Sequence, residues 1–125
     1  MNRYVFFVHG YSTNSKKTWG DFATFLNKNE KLEYEIDFFD YKSPSKWQFW
    51  KTAPSLYNIA EGLITTLRNK CDLDNDEIIL IGHSNGGVVI KKLLERLSLN
   101  NIEHNISKVC FLDVPHHGSG YASAG

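Results

Sequence analysis

The sequence predicts an α/β protein in which a parallel sheet of about four strands is flanked by helices, and three observations carry that prediction. Strand-like apolar runs alternate with helix-like amphipathic stretches, the pattern of a parallel sheet whose crossovers are helical. The first apolar run, Tyr4-Val5-Phe6-Phe7-Val8, is almost continuously apolar, as a strand covered on both faces has to be. The third observation is Gly82-His83-Ser84-Asn85-Gly86, set between Ile78-Ile79-Leu80-Ile81 and Val88-Val89-Ile90-Lys91-Lys92-Leu93-Leu94. A strand, a sharp turn and a helix are written there in that order.

Taken along the chain, the first strand is Tyr4 to Val8, and the first helix runs from about Trp19 to Asn27, with Phe22, Phe25 and Leu26 on one face. Glu35 to Asp40 reads as the second strand. A loop with turn chemistry follows, from Tyr41 through Lys42-Ser43-Pro44-Ser45 to Trp47, and its aromatic residues Trp47, Phe49 and Trp50 either line a cleft or pack the loop onto the domain. Pro54 opens a helix whose Leu56, Ala60, Leu63, Ile64 and Leu67 make one core-facing stripe. Asp72-x-Asp74-x-Asp76 has the opening ligand spacing of a calcium loop, but the glycine and closing glutamate such a loop needs are missing, so a solvated turn is expected. Glu77 to Ile81 is the third strand, about Gly86 to Leu99 the third helix, and Lys108 to Val114 the fourth strand. The whole of residues 1–125 reads as a single domain.

Composition narrows the function classes. Fourteen basic residues balance fourteen acidic ones, so no net field draws nucleic acid or an anionic membrane surface. With 42% hydrophobic and 14% aromatic residues the chain has the material for a packed core, yet no apolar run approaches the roughly 20 residues of a membrane span. The run after Met1-Asn2-Arg3 is too short for a signal-peptide core. Cys71 and Cys110 match neither a disulfide framework nor a metal-ligand spacing, so free thiols in a reducing, cytoplasmic setting are expected. No metal and no organic cofactor is implied.

The chemistry concentrates at Ser84. Gly82-x-Ser84-x-Gly86 between a strand and a helix is a nucleophile elbow, in which the serine is held in a strained, exposed conformation and both glycines are steric requirements. A serine hydroxyl is a weak nucleophile, so acyl transfer also needs a base, an acid that orients it, and donors for the oxyanion. The loop after the first strand, His9-Gly10-Tyr11, overhangs the elbow if the two strands are neighbours, which makes the backbone N–H groups of Tyr11 and Asn85 the expected oxyanion hole. His9 and His83 flank these positions but are poorly placed to act as the base, and are read as scaffolding for the site.

Three blocks carry a resemblance to a known family. They are Val5-Phe6-Phe7-Val8-His9-Gly10-Tyr11 with Thr18-Trp19, Ile81-Gly82-His83-Ser84-Asn85-Gly86-Gly87-Val88-Val89-Ile90-Lys91, and Phe111-Leu112-Asp113-Val114-Pro115-His116-His117-Gly118-Ser119. Together they resemble α/β-hydrolases of the serine esterase and lipase group that includes the GPI inositol-deacylase-like enzymes. The third block looks like that group's G-T-P-H-x-G-S run, with Asp113 and Val114 standing in place of glycine and threonine. The resemblance implies attack of Ser84 on a small-molecule or lipid ester through an acyl-enzyme, and a partial α/β-hydrolase fold whose strands correspond to the third to sixth of the group. In that group the acid and histidine follow later in the chain, so the sequence looks like an N-terminal half. Asp113, where some lipases of this fold place their acid, and His116 or His117 are the local candidates for acid and base. Two alternatives stand beside the esterase: a catalytically incomplete chain with a binding role or none of its own, and an acyltransferase using the same elbow. An exposed fourth-strand edge would invite self-association or completion by another chain.

Overall fold

The computed structural model describes residues 1–10, 18–20, 33–41 and 55–113, and in them the expected parallel sheet is present. Its strands are β1 (Arg3–Val8), β2 (Glu35–Phe39), β3 (Glu77–His83) and β4 (Ile106–Leu112), in the order β2-β1-β3-β4. All three pairings are parallel. Two helices of 15 residues each, α1 (Leu56–Lys70) and α2 (Asn85–Leu99), lead into β3 and β4 respectively. Of the expected first helix only a helical turn at Thr18–Trp19 falls among the described residues. The loop aromatics Trp47, Phe49 and Trp50, and Pro54, lie outside them.

The core forms because one face of the sheet and one stripe of each helix are apolar. Phe6, Val8, Ile78 and Leu80 meet Ile59, Ala60, Leu63 and Leu67 of α1 and Val89, Ile90, Leu93 and Leu97 of α2 in one buried cluster. Each such leucine or isoleucine contributes about 1.5–3 kcal/mol when fully buried. The stripe expected on α1 is there, except that Leu56 is only half-buried and Ile59 takes a place in the core. Arg96 of α2 reaches Glu61 of α1 at 2.5 Å, tying the two helices at their surface. On the other face of the sheet Phe7 is buried between Trp19, at 4.9 Å between ring centroids, and Phe38, at 5.0 Å.

Three strand and turn assignments need correction. β3 continues two residues past Ile81 because Gly82 and His83 still pair with Phe111 and Leu112. β4 spans 106–112 rather than 108–114, since Asp113 has φ +49° and leaves the extended conformation, while Ile106 already pairs with Ile78. The aspartate turn is only partly solvated. Asp72 is exposed, and its carboxylate accepts from the backbone of Asp74 and Asn75 and from the Asn75 amide. Asp76, by contrast, is buried and accepts from the backbone N–H groups of Asn2 at 2.9 Å and Asp72 at 2.8 Å, pinning the start of β1. No cluster of three or more His, Cys, Asp or Glu able to hold a metal occurs among the described residues. Burial, with the nearby Asp76 carboxylate second, pushes the Cys71 thiol up to about 11, so it stays protonated.

Candidate active site

Ser84 stands at the C-terminal end of β3 and caps α2 with φ +54° and ψ −129°, a combination that costs a non-glycine residue on the order of 1–3 kcal/mol. The surroundings hold it there from both sides. Its N–H donates to Leu112 O at 2.9 Å, which ties the turn to β4, and its carbonyl accepts from Gly87 N at 3.0 Å, which starts the helix. Its side chain makes no capping bond to the helix it precedes.

The glycines are required for reasons more specific than the motif alone indicates. A Cβ on Gly82 would lie 2.6 Å from Gly87 Cα and 2.8 Å from Ile90 Cδ1, so it is the approach of α2 to β3 that excludes a side chain. On Gly86 a Cβ would run into Val8 O and come within 2.6 Å of His9 O. The first turn of α2 therefore rests on the carbonyl end of β1. The steric demand expected at both positions is present, and its source is helix-to-strand contact rather than the serine side chain.

β1 lies beside β3, which sets His9 and Gly10 at its C-terminal end against the elbow. A Cβ built on Gly10 would be 3.0 Å from Ser84 Cβ and 3.4 Å from Asn85 N. Asn85 is buried and opens α2, and the first amides of a helix have no partner within it and carry the positive end of its dipole. Tyr11, the other expected oxyanion donor, lies outside the described residues, as do His116 and His117. Asp113 is exposed, directly after the β4 residue whose carbonyl takes the Ser84 N–H.

His9, expected as scaffolding for the site, is completely buried. Its Nδ1 is 2.9 Å from Gly10 O, which can only accept, so Nδ1 carries the proton. Nε2 then accepts from the Tyr41 N–H at 3.3 Å. Burial lowers the pKa of His9 below the ordinary 6.5, against the opposing pull of the Gly10 bond and the Asp40 carboxylate, and the ring is neutral. The His83 ring meets the Trp19 ring edge-on, 6.1 Å away between centroids. Three buried polar atoms around the elbow, Trp19 Nε1, His83 Nδ1 and Asn85 Oδ1, have no hydrogen-bond partner among the described residues.

Tyr41 is the residue that sequence reasoning left in a loop. Its ring stacks on His9 with centroids 4.1 Å apart and planes 8° from parallel, and its hydroxyl donates to His9 O at 2.6 Å. The signal was the period-two continuation of β2, which sets Tyr41 on the side of buried Phe39, whose ring lies 5.7 Å away.

No family model matches the chain. It is 29% identical to protein SERAC1 of Mus musculus over 146 aligned positions, covering 94% of this chain and 22% of the relative. The SERAC1 protein of Homo sapiens is 27% identical with the same coverage. Among solved structures, phospholipase PlaB from Legionella pneumophila superposes with a TM-score of 0.76 at 25% identity, over 99% of this chain and 27% of that one. A second PlaB structure, in complex with thio-NAD, gives the same TM-score and 28% coverage. The chain thus spans less than a third of the length of the proteins it matches, and within that span its fold is hydrolase-like.

Proposed function

We propose that this chain carries the nucleophile of a serine hydrolase acting on carboxylic esters, lipid esters foremost. The observation that carries the reading is the conformation of Ser84: a non-glycine residue at φ +54° between a strand and a helix, its side chain withheld from helix capping. Likeness to a phospholipase structure supports the lipase-like class of substrate. The GPI inositol-deacylase-like resemblance is one member of that class.

In this mechanism Ser84 Oγ attacks the acyl carbon as a base takes its proton, and the carbonyl oxygen becomes an oxyanion held by the N–H groups of Asn85 and Tyr11. Collapse of the tetrahedral adduct expels the alcohol, which takes the proton from the base, and leaves an acyl-serine. Water, deprotonated by the same base, attacks the acyl carbon, and collapse of the second adduct releases the acid as the base returns the proton to Ser84 Oγ. Asp113 with His116 or His117 is the proposed acid and base pair within residues 1–125, which are taken as one domain. A second reading, with the base delivered by further polypeptide at the sheet edge, draws on one feature. Among the described residues β4 is an outer strand, and its Lys108, Cys110 and Leu112 are exposed.

Intact-mass analysis after treatment with a fluorophosphonate probe tests the reading, with Ser84→Ala as control. One adduct that vanishes in the variant is the expected result, and hydrolysis of p-nitrophenyl esters of increasing chain length then ranks the acyl groups. A folded chain that takes up no probe would transfer the activity to the second reading.

A further inference from the structure

We infer that Tyr41 is a positioning residue for the elbow, acting through His9 on the backbone that borders Ser84; its catalytic consequence rests on the hydrolase reading above. Tyr41 holds His9 at three points: the ring face by stacking, Nε2 by a backbone N–H, and the His9 carbonyl by the phenol hydroxyl. Each of these has a consequence at the site. Donation from the Tyr41 N–H to Nε2 leaves Nδ1 as the protonated nitrogen, and Nδ1–H in turn grips the Gly10 carbonyl. Stacking fixes the plane of the ring, and so the direction in which Nδ1–H points.

The two carbonyls held in this way sit against the elbow. The His9 carbonyl, which receives the Tyr41 hydroxyl, abuts the α-carbon of Gly86 in the first turn of α2. Gly10 packs its α-carbon toward Ser84 Cβ and Asn85 N. Holding the Gly10 carbonyl thus holds the backbone that packs against Ser84 Cβ and Asn85 N, the proposed donor at the start of α2. Oxyanion stabilisation depends on donors already aimed before charge develops. Tyr41, 32 residues from His9 in the sequence, thereby bears on the Ser84 junction through His9 and Gly10.

The arrangement separates two parts of the tyrosine. Tyr41→Phe keeps the stack and the backbone bond and loses only the hydroxyl on the His9 carbonyl; Tyr41→Leu loses the stack as well. We expect the rate of fluorophosphonate labelling to fall about tenfold in Tyr41→Phe and further in Tyr41→Leu, a fraction of the 10²–10³ lost with a whole oxyanion donor. With a p-nitrophenyl ester the loss should fall on kcat while KM holds, a split that general loosening of the fold would not give. Imidazole ¹⁵N spectra of the wild-type chain should show His9 protonated on Nδ1. Amide resonances of Ser84 and Asn85 should move in Tyr41→Phe, with those of Leu67 in α1 unmoved. Wild-type His9 protonated on Nε2, or Ser84 and Asn85 amides that stay in place in both variants, overturns the inference. Labelling at the wild-type rate in Tyr41→Leu overturns its catalytic consequence alone. Absence of labelling in the folded wild type overturns the hydrolase reading for this chain, and the amide shifts then decide the positioning role by themselves.

Discussion

Both described helices are 15 residues long and both are preceded by a serine, and the two serines behave in opposite ways. Ser55 has φ −64° and ψ 157°, and its hydroxyl accepts from Asn58 N at 3.1 Å, satisfying one of the orphan donors of α1. Ser84, at φ +54°, gives α2 no side-chain bond. The second residue of each helix differs in the same sense. Tyr57 in α1 is 43% exposed and its ring lies under the Arg96 guanidinium, whereas Gly86 in α2 is pressed onto the end of β1. One junction is arranged for helix stability; at the other the serine is strained and caps nothing, which is what the proposed nucleophile requires.

The contrast can be broken most forcefully at the second helical position. Gly86→Ala puts a methyl group where the Val8 and His9 carbonyls already are, and should cost roughly 4 kcal/mol or more in urea unfolding or abolish folding. Tyr57→Ala should cost under about 1 kcal/mol, the value of its cation–π contact with Arg96. A small loss for Gly86→Ala would mean that α2 does not bear on β1. The capping serines give the next largest effect, with opposite signs. Ser55→Ala should destabilise by about 1 kcal/mol and leave fluorophosphonate labelling intact. Ser84→Gly should abolish labelling while raising stability by about 1 kcal/mol, since glycine adopts positive φ without strain.

Acid provides the smallest and sharpest comparison, because a buried neutral histidine stands behind the Ser84 junction. With the pKa of His9 lowered on folding, the unfolded chain binds more protons than the folded one as pH falls below 6.5. Stability from this group is therefore complete above that value and is lost as pH drops toward the folded pKa. Unfolding free energies at about pH 7.5 and about pH 5.5 should diverge more in the wild type than in His9→Asn. Equal slopes would show that His9 is as readily protonated folded as unfolded.

Most of the sheet was legible because its determinants are local. The run Tyr4 to Val8 and the run Ile78 to Ile81 are apolar enough to be central strands, and the α1 stripe has helical spacing. Strand ends were misjudged where a partner decides them: β3 reaches His83 because Leu112 is there to pair, and β4 stops where Asp113 turns to positive φ. The elbow serine could be read because a short motif contains both the strain and the glycines that permit it. Which atoms make those glycines necessary could not, since Val8, His9 and Ile90 approach from other elements. Tyr41 was legible only as to its side, from the alternation that continues β2 past Phe39. Its value lies in a stack across two strand ends, and nothing in the residues around it encodes His9.

The strand order also has a kinetic side. β1 precedes β2 and β3 in the sequence but lies between them in the sheet, and its pinning contact, Asn2 to Asp76, spans 74 residues. Among the described residues this segment has no hairpin partner: Tyr4 pairs with Glu35 on one side and with Ile78 on the other, and the second and longer closure costs loop entropy before it returns buried surface. The strand Tyr4 to Val8 can therefore be paired by β2 along one edge while its other edge stays open until β3 follows, which makes the β1–β3 closure the slow step in completing the sheet.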